Sequence, residues 1–170
     1  MNRYCATFDS PLGELHVVVD EEGTLLRIDL PGNRSHAPGE RSSPSRCRHV
    51  VLQLGEYFEG KRRRFDLRLC LEGTPFQKKA WRALQRIPFG RTRSYLDQAK
   101  AIGNEKALRA VGQANGKNPI PIVVPCHRVL GKNGSLTGFG GGLAVKRWLL
   151  DHEQAVLARA AESAESSAEA

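Results

Sequence analysis

Three short runs near the start of the chain, Tyr4 to Phe8, Leu15 to Val19 and Leu25 to Leu30, are β-prone and place apolar residues in strand-like alternation. Such alternation turns one face of a strand toward a core. Ser10-Pro11-Leu12-Gly13 and Glu21-Glu22-Gly23 supply the intervening turns. The pattern predicts a small antiparallel sheet. Residues 31–46 (PGNRSHAPGERSSPSR) carry no period and are rich in Pro, Gly, Ser and Arg, which predicts a mobile loop. Val50, Val51, Leu54, Tyr57 and Phe58 then form an apolar stripe at helical spacing, stopped by Gly60. Lys61 to Arg64 reads as a solvated basic turn. Phe65, Leu67, Leu69 and Leu71 alternate as a final strand, and Gly73 marks the boundary between two lobes.

From Thr74 onward the period is helical. Thr74 can cap a helix with Pro75 in its first turn and Phe76, Ala80, Leu84 and Ile87 along its apolar side, before Pro88-Phe89-Gly90 ends it. Ser94 and Asp97 have capping-box spacing and open a short helix ending near Gly103. Asn104 can cap the next helix, Glu105 to Asn115, with Leu108 and Val111 inward. Two short helices joined through Ile102-Gly103-Asn104 read as helix-turn-helix. Ile120 to Val124 reads as a buried strand, Gly131 to Gly134 as a turn, and Leu143 to Glu153 as a last helix. The tail 154–170, with few large apolar residues, is expected to be disordered. The fold class is thus an α/β N-terminal lobe, a small antiparallel sheet plus a helix (1–73), followed by a mainly helical domain (74–153).

Charge divides along the same boundary. Residues 1–73 hold 11 basic and 11 acidic residues, and residues 74–153 hold 14 and 4. A basic half beside a neutral one points to a polyanion partner for the second half. The four cysteines (Cys5, Cys47, Cys70, Cys126) have no C-x-x-C spacing, so free thiols in a reducing cytosol are expected and no metal site is supported. No signal peptide and no apolar run of spanning length is evident, which argues for a cytoplasmic protein and no membrane partner.

The candidate chemistry lies in Pro125-Cys126-His127-Arg128-Val129. A thiol with an ordinary pKa of about 8.5 needs a base or a positive field to become a nucleophile near neutrality. On a strand, Cys126 and His127 would face opposite ways, so they cooperate only if the backbone turns there or a water bridges them. A carboxylate that orients the imidazole would help, and Glu153 is a candidate.

Residues 74–153 resemble the catalytic domain of the O6-alkylguanine-DNA alkyltransferases, also called methylated-DNA–protein-cysteine methyltransferases. The resemblance rests on F-Q-K-K-A-W-R-A-L-Q-R-I-P-F-G (76–90), S-Y (94–95), R-A-V-G (109–112), N-P-I-P-I-V-V-P-C-H-R-V (118–129) and G-G-L-A-V-K-R-W-L-L-D-H-E (141–153). D-S-P-L-G (9–13) and the Tyr57-Phe58 helix are similar to the family's variable first lobe. The resemblance implies suicide repair of O6-alkylguanine (with O4-alkylthymine as a second substrate) by transfer to Cys126, without a cofactor. It makes His127 the base, acting through a water, Glu153 the residue that orients it, and Asn118 the tie between the reactive turn and the helix-turn-helix. Tyr95, Lys146, the Val129 carbonyl, Phe139 and the Gly140 N–H would meet the base. Phe139 and Gly140 depart from the Tyr and Ser of many relatives. Arg109 would fill the gap left by the flipped nucleotide, with Ala107, Gln113 and Arg128 on the DNA surface. The implied partner is double-stranded DNA, entered from the minor groove by a monomer. Two alternatives stand: a non-catalytic sensor of alkylated bases that recruits excision repair, which resembles this family but lacks the thiol, and a Cys-His hydrolase, which turns over.

Overall fold

The computed structural model describes residues 1–33 and 37–169. The N-terminal runs form β1 (Arg3–Ser10), β2 (Gly13–Val19) and β3 (Leu25–Asp29), joined as an antiparallel meander. The first hairpin is tight because Gly13 adopts φ +114, a conformation that favours glycine. Part of the expected loop is ordered: β4 (Glu40–Ser42) pairs parallel with β1, so the sheet is mixed, in the order β3-β2-β1-β4. Residues 34–36 of that loop lie outside the described residues.

Helix α1 (Pro44–Phe58) begins within the same stretch, earlier than its apolar stripe, because Pro44 suits a first helical turn. It lays Cys47, Val50, Leu54 and Tyr57 over Ala6, Leu15, Val17 and Val19. The expected strand Phe65–Leu71 is absent. The segment is extended with its apolar side chains half-buried, but among the described residues its only ladder pairing with the sheet is one bridge, Leu25 to Leu69. Gln53 takes both backbone groups of Asp66 with its side-chain amide, in place of a neighbouring strand.

The expected Thr74 cap and Ser94-Asp97 capping box both form, and Gln77 completes a second box at Thr74. Thr74 and Gln77 open α2 (Pro75–Leu84), and Ser94 and Asp97 open α3 (Tyr95–Ala101). Helix α4 (Leu108–Gly116) starts three residues later than expected, because Asn104 accepts from the Lys106 N–H in a turn rather than capping the helix. Leu108 is exposed, contrary to its expected inward position, while Val111 is fully buried. A reciprocal buried amide pair, Gln98 with Asn115 at 2.8 and 2.9 Å, clamps α3 to α4. The Trp81 indole ties α2 to the Ala114 carbonyl at 2.8 Å.

Helix α5 runs from Leu143 to Glu169, so residues 154–169 of the expected disordered tail are helical. Val156 is buried against Gly60, and Leu157 packs against Gly90. These two apolar contacts anchor the extension, and its Ala and Glu residues favour helix beyond them.

Candidate active site

Ile120, Ile122 and Val124 are buried as expected, but on a compact turn rather than a strand. Asn118 holds that turn: its Nδ2 donates to the Val124 carbonyl at 2.8 Å and its Oδ1 accepts from the Ile120 N–H at 3.0 Å. Ile122 takes φ +74, a strained conformation for a β-branched residue and one that clusters at functional sites. The chain then enters a 3₁₀ turn, Cys126–Arg128. At three residues per turn, neighbouring side chains no longer point to opposite faces, which removes the geometric obstacle a strand would impose on Cys126 and His127. A two-stranded parallel pair, β5 (Arg93–Ser94) with β6 (Val129–Leu130), fastens the end of this turn to the start of α3.

Glu153 on α5 organises what lies behind the thiol. It accepts from His127 Nε2 at 2.7 Å, the Tyr57 hydroxyl at 2.7 Å, Arg128 Nε at 2.9 Å and the Gly90 N–H at 2.9 Å. Burial alone would disfavour its charge, but the hydrogen bonds from His127 and Arg128 and the Arg128 charge prevail and hold the carboxyl well below the usual carboxylate range. An ionised carboxylate only accepts, so His127 carries its proton on Nε2 and leaves Nδ1 as the basic nitrogen. Nδ1 is buried and bonds no protein group among the described residues. Burial lowers the His127 pKa against the opposing pull of Glu153, so the ring is neutral at physiological pH. Burial also pushes the Cys126 thiol up, while the Asn118 side chain and the Lys146 charge favour its thiolate.

Cys126 is only 7 % exposed, yet it lines a cavity of about 340 Å³. That volume lies within the range of small-molecule sites, about 300–1,000 Å³, and admits a nucleobase. Its walls are Leu30 and Asn33 from the first lobe, Asn118 and Pro119 from the turn, and Phe139 and Gly140 from the glycine-rich loop. The Asn33 amide donates to the Gly140 carbonyl, so the first lobe holds this loop in place. Lys146, fully buried, donates to the carbonyls of Val129 (2.6 Å) and Thr137 (2.9 Å). The Tyr95 hydroxyl donates to the same Thr137 carbonyl at 3.1 Å, and Lys146 Nζ lies 5.9 Å from the Tyr95 ring centre. A larger cavity of about 1070 Å³ lies behind the turn, with Pro125 and Arg128 in its wall and no contribution from Cys126.

Comparisons with known proteins converge on one family. Residues 75–155 match the model of the 6-O-methylguanine DNA methyltransferase DNA binding domain, and residues 3–71 match that of its ribonuclease-like domain. The chain is 45 % identical over 159 residues to the constitutive methylated-DNA–protein-cysteine methyltransferase of Bacillus subtilis, covering 89 % of this chain and 96 % of that one. It belongs to the methylated-DNA–protein-cysteine methyltransferase family. A methylated-DNA–protein-cysteine methyltransferase of Methanosarcina acetivorans is 46 % identical over 152 residues, covering 88 % and 97 % of the two chains. Among solved structures, Mycobacterium tuberculosis OGT in complex with DNA superposes with a TM-score of 0.84 at 42 % identity, covering 92 % of this chain and 94 % of that one.

The fold brings Cys126, His127, Asn118, Tyr95, Val129, Phe139, Gly140 and Lys146 together around one cavity and the turn beside it, with Glu153 directly behind His127. The Val129 carbonyl already serves Lys146, and the Cys126 carbonyl accepts from the Val129 N–H. Arg109 and Gln113 are exposed on α4, together with Lys106 before it and Lys117 after it. Two expectations for the DNA surface fail. Arg128 is buried, spent on Glu153 and on the Ile87 carbonyl at 2.8 Å, because an ionised carboxylate in the interior needs a cation beside it. Ala107 is also buried, among Ala83, Ala99, Ile102 and Val111, where it lets α3 and α4 approach closely. The sulfur of Cys5, a free thiol as expected, lies in a cluster with His16 and Glu40. Tyr57 went unseen as a site residue, although a tyrosine in an apolar helical stripe carries a hydroxyl that must find a partner.

Proposed function

We propose that this protein repairs O6-alkylguanine in double-stranded DNA by moving the alkyl group onto Sγ of Cys126, one group per molecule. The observation that carries the reading is the thiol at the wall of a base-sized cavity, followed on the same 3₁₀ turn by a histidine whose tautomer is fixed by Glu153. His127 Nδ1 takes the thiol proton through a water, and the thiolate attacks the alkyl carbon. The S–C bond forms as the C–O6 bond breaks, and the departing guanine recovers a proton. Glu153 and Arg128 keep the imidazolium that forms next to a fixed negative charge. Lys146 and the Tyr95 hydroxyl, which both donate to the Thr137 carbonyl, are the donors assigned to the leaving oxygen. No step calls for a redox partner or a Lewis acid, so the transfer uses no cofactor.

The alkyl carbon is out of reach inside a stacked duplex, so the nucleotide is rotated out. Helix α4 enters the minor groove with small residues, Ala110 and Gly112, at its surface, and Arg109 occupies the vacated space. Exposed Lys100, Lys106 and Lys117 meet phosphates. The chain acts as a monomer, since the cavity is complete within one copy. It works in the cytoplasm, and no helix among the described residues is long and apolar enough to cross a membrane.

Incubating the protein with a duplex that carries one O6-methylguanine tests the reading. Guanine should be restored in an amount equal to the protein added, and turnover beyond that amount contradicts suicide transfer. A non-catalytic sensor predicts binding with no restored guanine.

A further inference from the structure

The basic run after α1 and the large cavity behind the reactive turn meet in one groove that the repair chemistry leaves unused. Its volume of about 1070 Å³ lies above the range of small-molecule sites, about 300–1,000 Å³. Part of the extended segment 63–71 lines one side, and α2 with the turn after it lines the other. We propose that the groove docks an extended acidic peptide of a partner protein, laid as an added strand along residues 65–71 with its carboxylates on the basic rim.

Charge is the first support. Arg63, Arg64, Lys78, Arg82 and Arg86 line the groove, and no acidic residue does so among the described residues. Lys78, Arg82 and Arg86 recur every four residues, which sets them in one stripe along α2 and its end. None of the five is held in a salt bridge among the described residues, whereas the neighbouring Arg62 pairs with Glu56. An uncompensated positive cleft with low-dielectric walls draws in anions. Guanidinium groups then donate paired hydrogen bonds to carboxylates.

The backbone is the second support. In an extended segment, successive residues turn their N–H and C=O groups to opposite edges. Arg68 and Cys70 bond Leu25 of β3, and Asp66 bonds the Gln53 amide. The alternate residues Phe65, Leu67, Leu69 and Leu71 bond no protein group through their main chain among the described residues. One edge is occupied and the other is open, which is the template on which a strand is added. At roughly 3.3 Å per residue the open edge runs about 20 Å, room for about six residues of peptide.

The floor favours a peptide over a nucleic acid. Single-strand binders stack bases on aromatic faces. The two aromatic rings in this lining, Phe65 and Phe89, are instead packed on Tyr57. Leu67, Leu69, Leu71 and Val123 are half-buried aliphatic groups that suit apolar side chains alternating with acids. No residue of α4 and no atom of Cys126 contributes to the groove, so a docked partner leaves the DNA surface and the base cavity open.

The probe is a fluorescent peptide of about eight residues, long enough to cover the open edge, in which Asp alternates with Leu. It is titrated with full-length protein and read by anisotropy, beside the same peptide with Asn for Asp and a thymidine strand of equal length. The Asp peptide should bind, and more weakly as salt rises, while the Asn peptide should not. Arg82→Glu combined with Arg86→Glu should weaken it by about tenfold or more, the worth of a lost charge-assisted contact. Reaction of that variant with free O6-benzylguanine should keep the wild-type rate, which reports an intact fold. Methylating alternate backbone nitrogens of the peptide should abolish binding in one phase and spare it in the other, since an added strand uses one edge. This arm needs only the unaltered protein. No binding of the Asp peptide, an affinity indifferent to the two arginine changes, or the same response to both methylation phases overturns the proposal. So does tighter binding of the thymidine strand that the arginine changes weaken, or self-association of the protein that they abolish and the peptide does not disperse.

Discussion

Tyr57 and His127 share a single oxygen atom: both bond Oε2 of Glu153, each at 2.7 Å. One belongs to α1 of the first lobe and the other follows the reactive cysteine, so the first lobe reaches into the chemistry through this carboxylate. Burial and the Glu153 charge hold the Tyr57 hydroxyl well above its ordinary pKa, which keeps it a donor at every pH of interest.

Tyr57→Phe should therefore leave the core filled but remove one charge-assisted hydrogen bond, costing about 1.5–3 kcal/mol of stability. The transfer rate should fall as well, with the loss confined to the chemical step and DNA affinity unchanged. Single-turnover kinetics with a pre-bound lesion duplex reads the first quantity and a binding titration reads the second. A loss of DNA affinity with an unchanged chemical step would show that Tyr57 does not act through Glu153.

Arg109→Ala should slow repair of a lesion within duplex DNA far more than reaction with free O6-benzylguanine, because only the duplex requires extrusion. The comparison of the two rate constants decides it. Equal losses on both substrates would remove Arg109 from that role.

The pH dependence follows from two groups. The folded pKa of His127 is depressed below its unfolded value of about 6.5, so the unfolded chain binds the proton first and stability declines as pH falls below about 6.5. Glu153 is likewise depressed from about 4.3, and the stability it supplies is present above that value and lost as pH falls through its lower folded pKa. Repair should hold its rate down to a pH below 6.5, because the buried ring stays neutral longer than a free histidine. A rate that already drops above pH 7 on acidification contradicts this assignment of the base.

How much of this was legible from the residues alone differs from one element to the next. Helix caps are local chemistry: Thr74 caps its helix and Ser94-Asp97 forms a capping box as their types and spacing predict. The burial of Ile120, Ile122 and Val124 was legible, but their backbone was not. Apolar runs of five residues do not separate strand from turn, and the positive φ of Ile122 is imposed by the surrounding packing. The alternation of Phe65, Leu67, Leu69 and Leu71 misled for the opposite reason: these side chains do pack toward the core, yet among the described residues no partner strand pairs with them beyond the single bridge at Leu69. Arg128 looked like a phosphate contact because charge in a sequence carries no depth. Its position beside Glu153 depends on α5 returning to the turn, a contact 25 residues away in sequence.

The tail helix offers a separate check on packing. Val156→Ala should destabilise the protein by about 2 kcal/mol, since it strips two buried methyl groups from the contact with Gly60. Gly90→Ala should be more severe, because its φ is +75 and the added carbon would lie 2.1 Å from Leu157. Chemical denaturation measures both. Full stability in either variant would show that residues beyond Glu153 do not dock.

The central claim is that Cys126 sulfur keeps the alkyl group. Peptide mass spectrometry after reaction with O6-methylguanine duplex measures that most directly. The account predicts a gain of one methyl on the peptide containing Cys126, matched mole for mole by restored guanine and absent in Cys126→Ala. Restored guanine with an unmodified Cys126 peptide would contradict it.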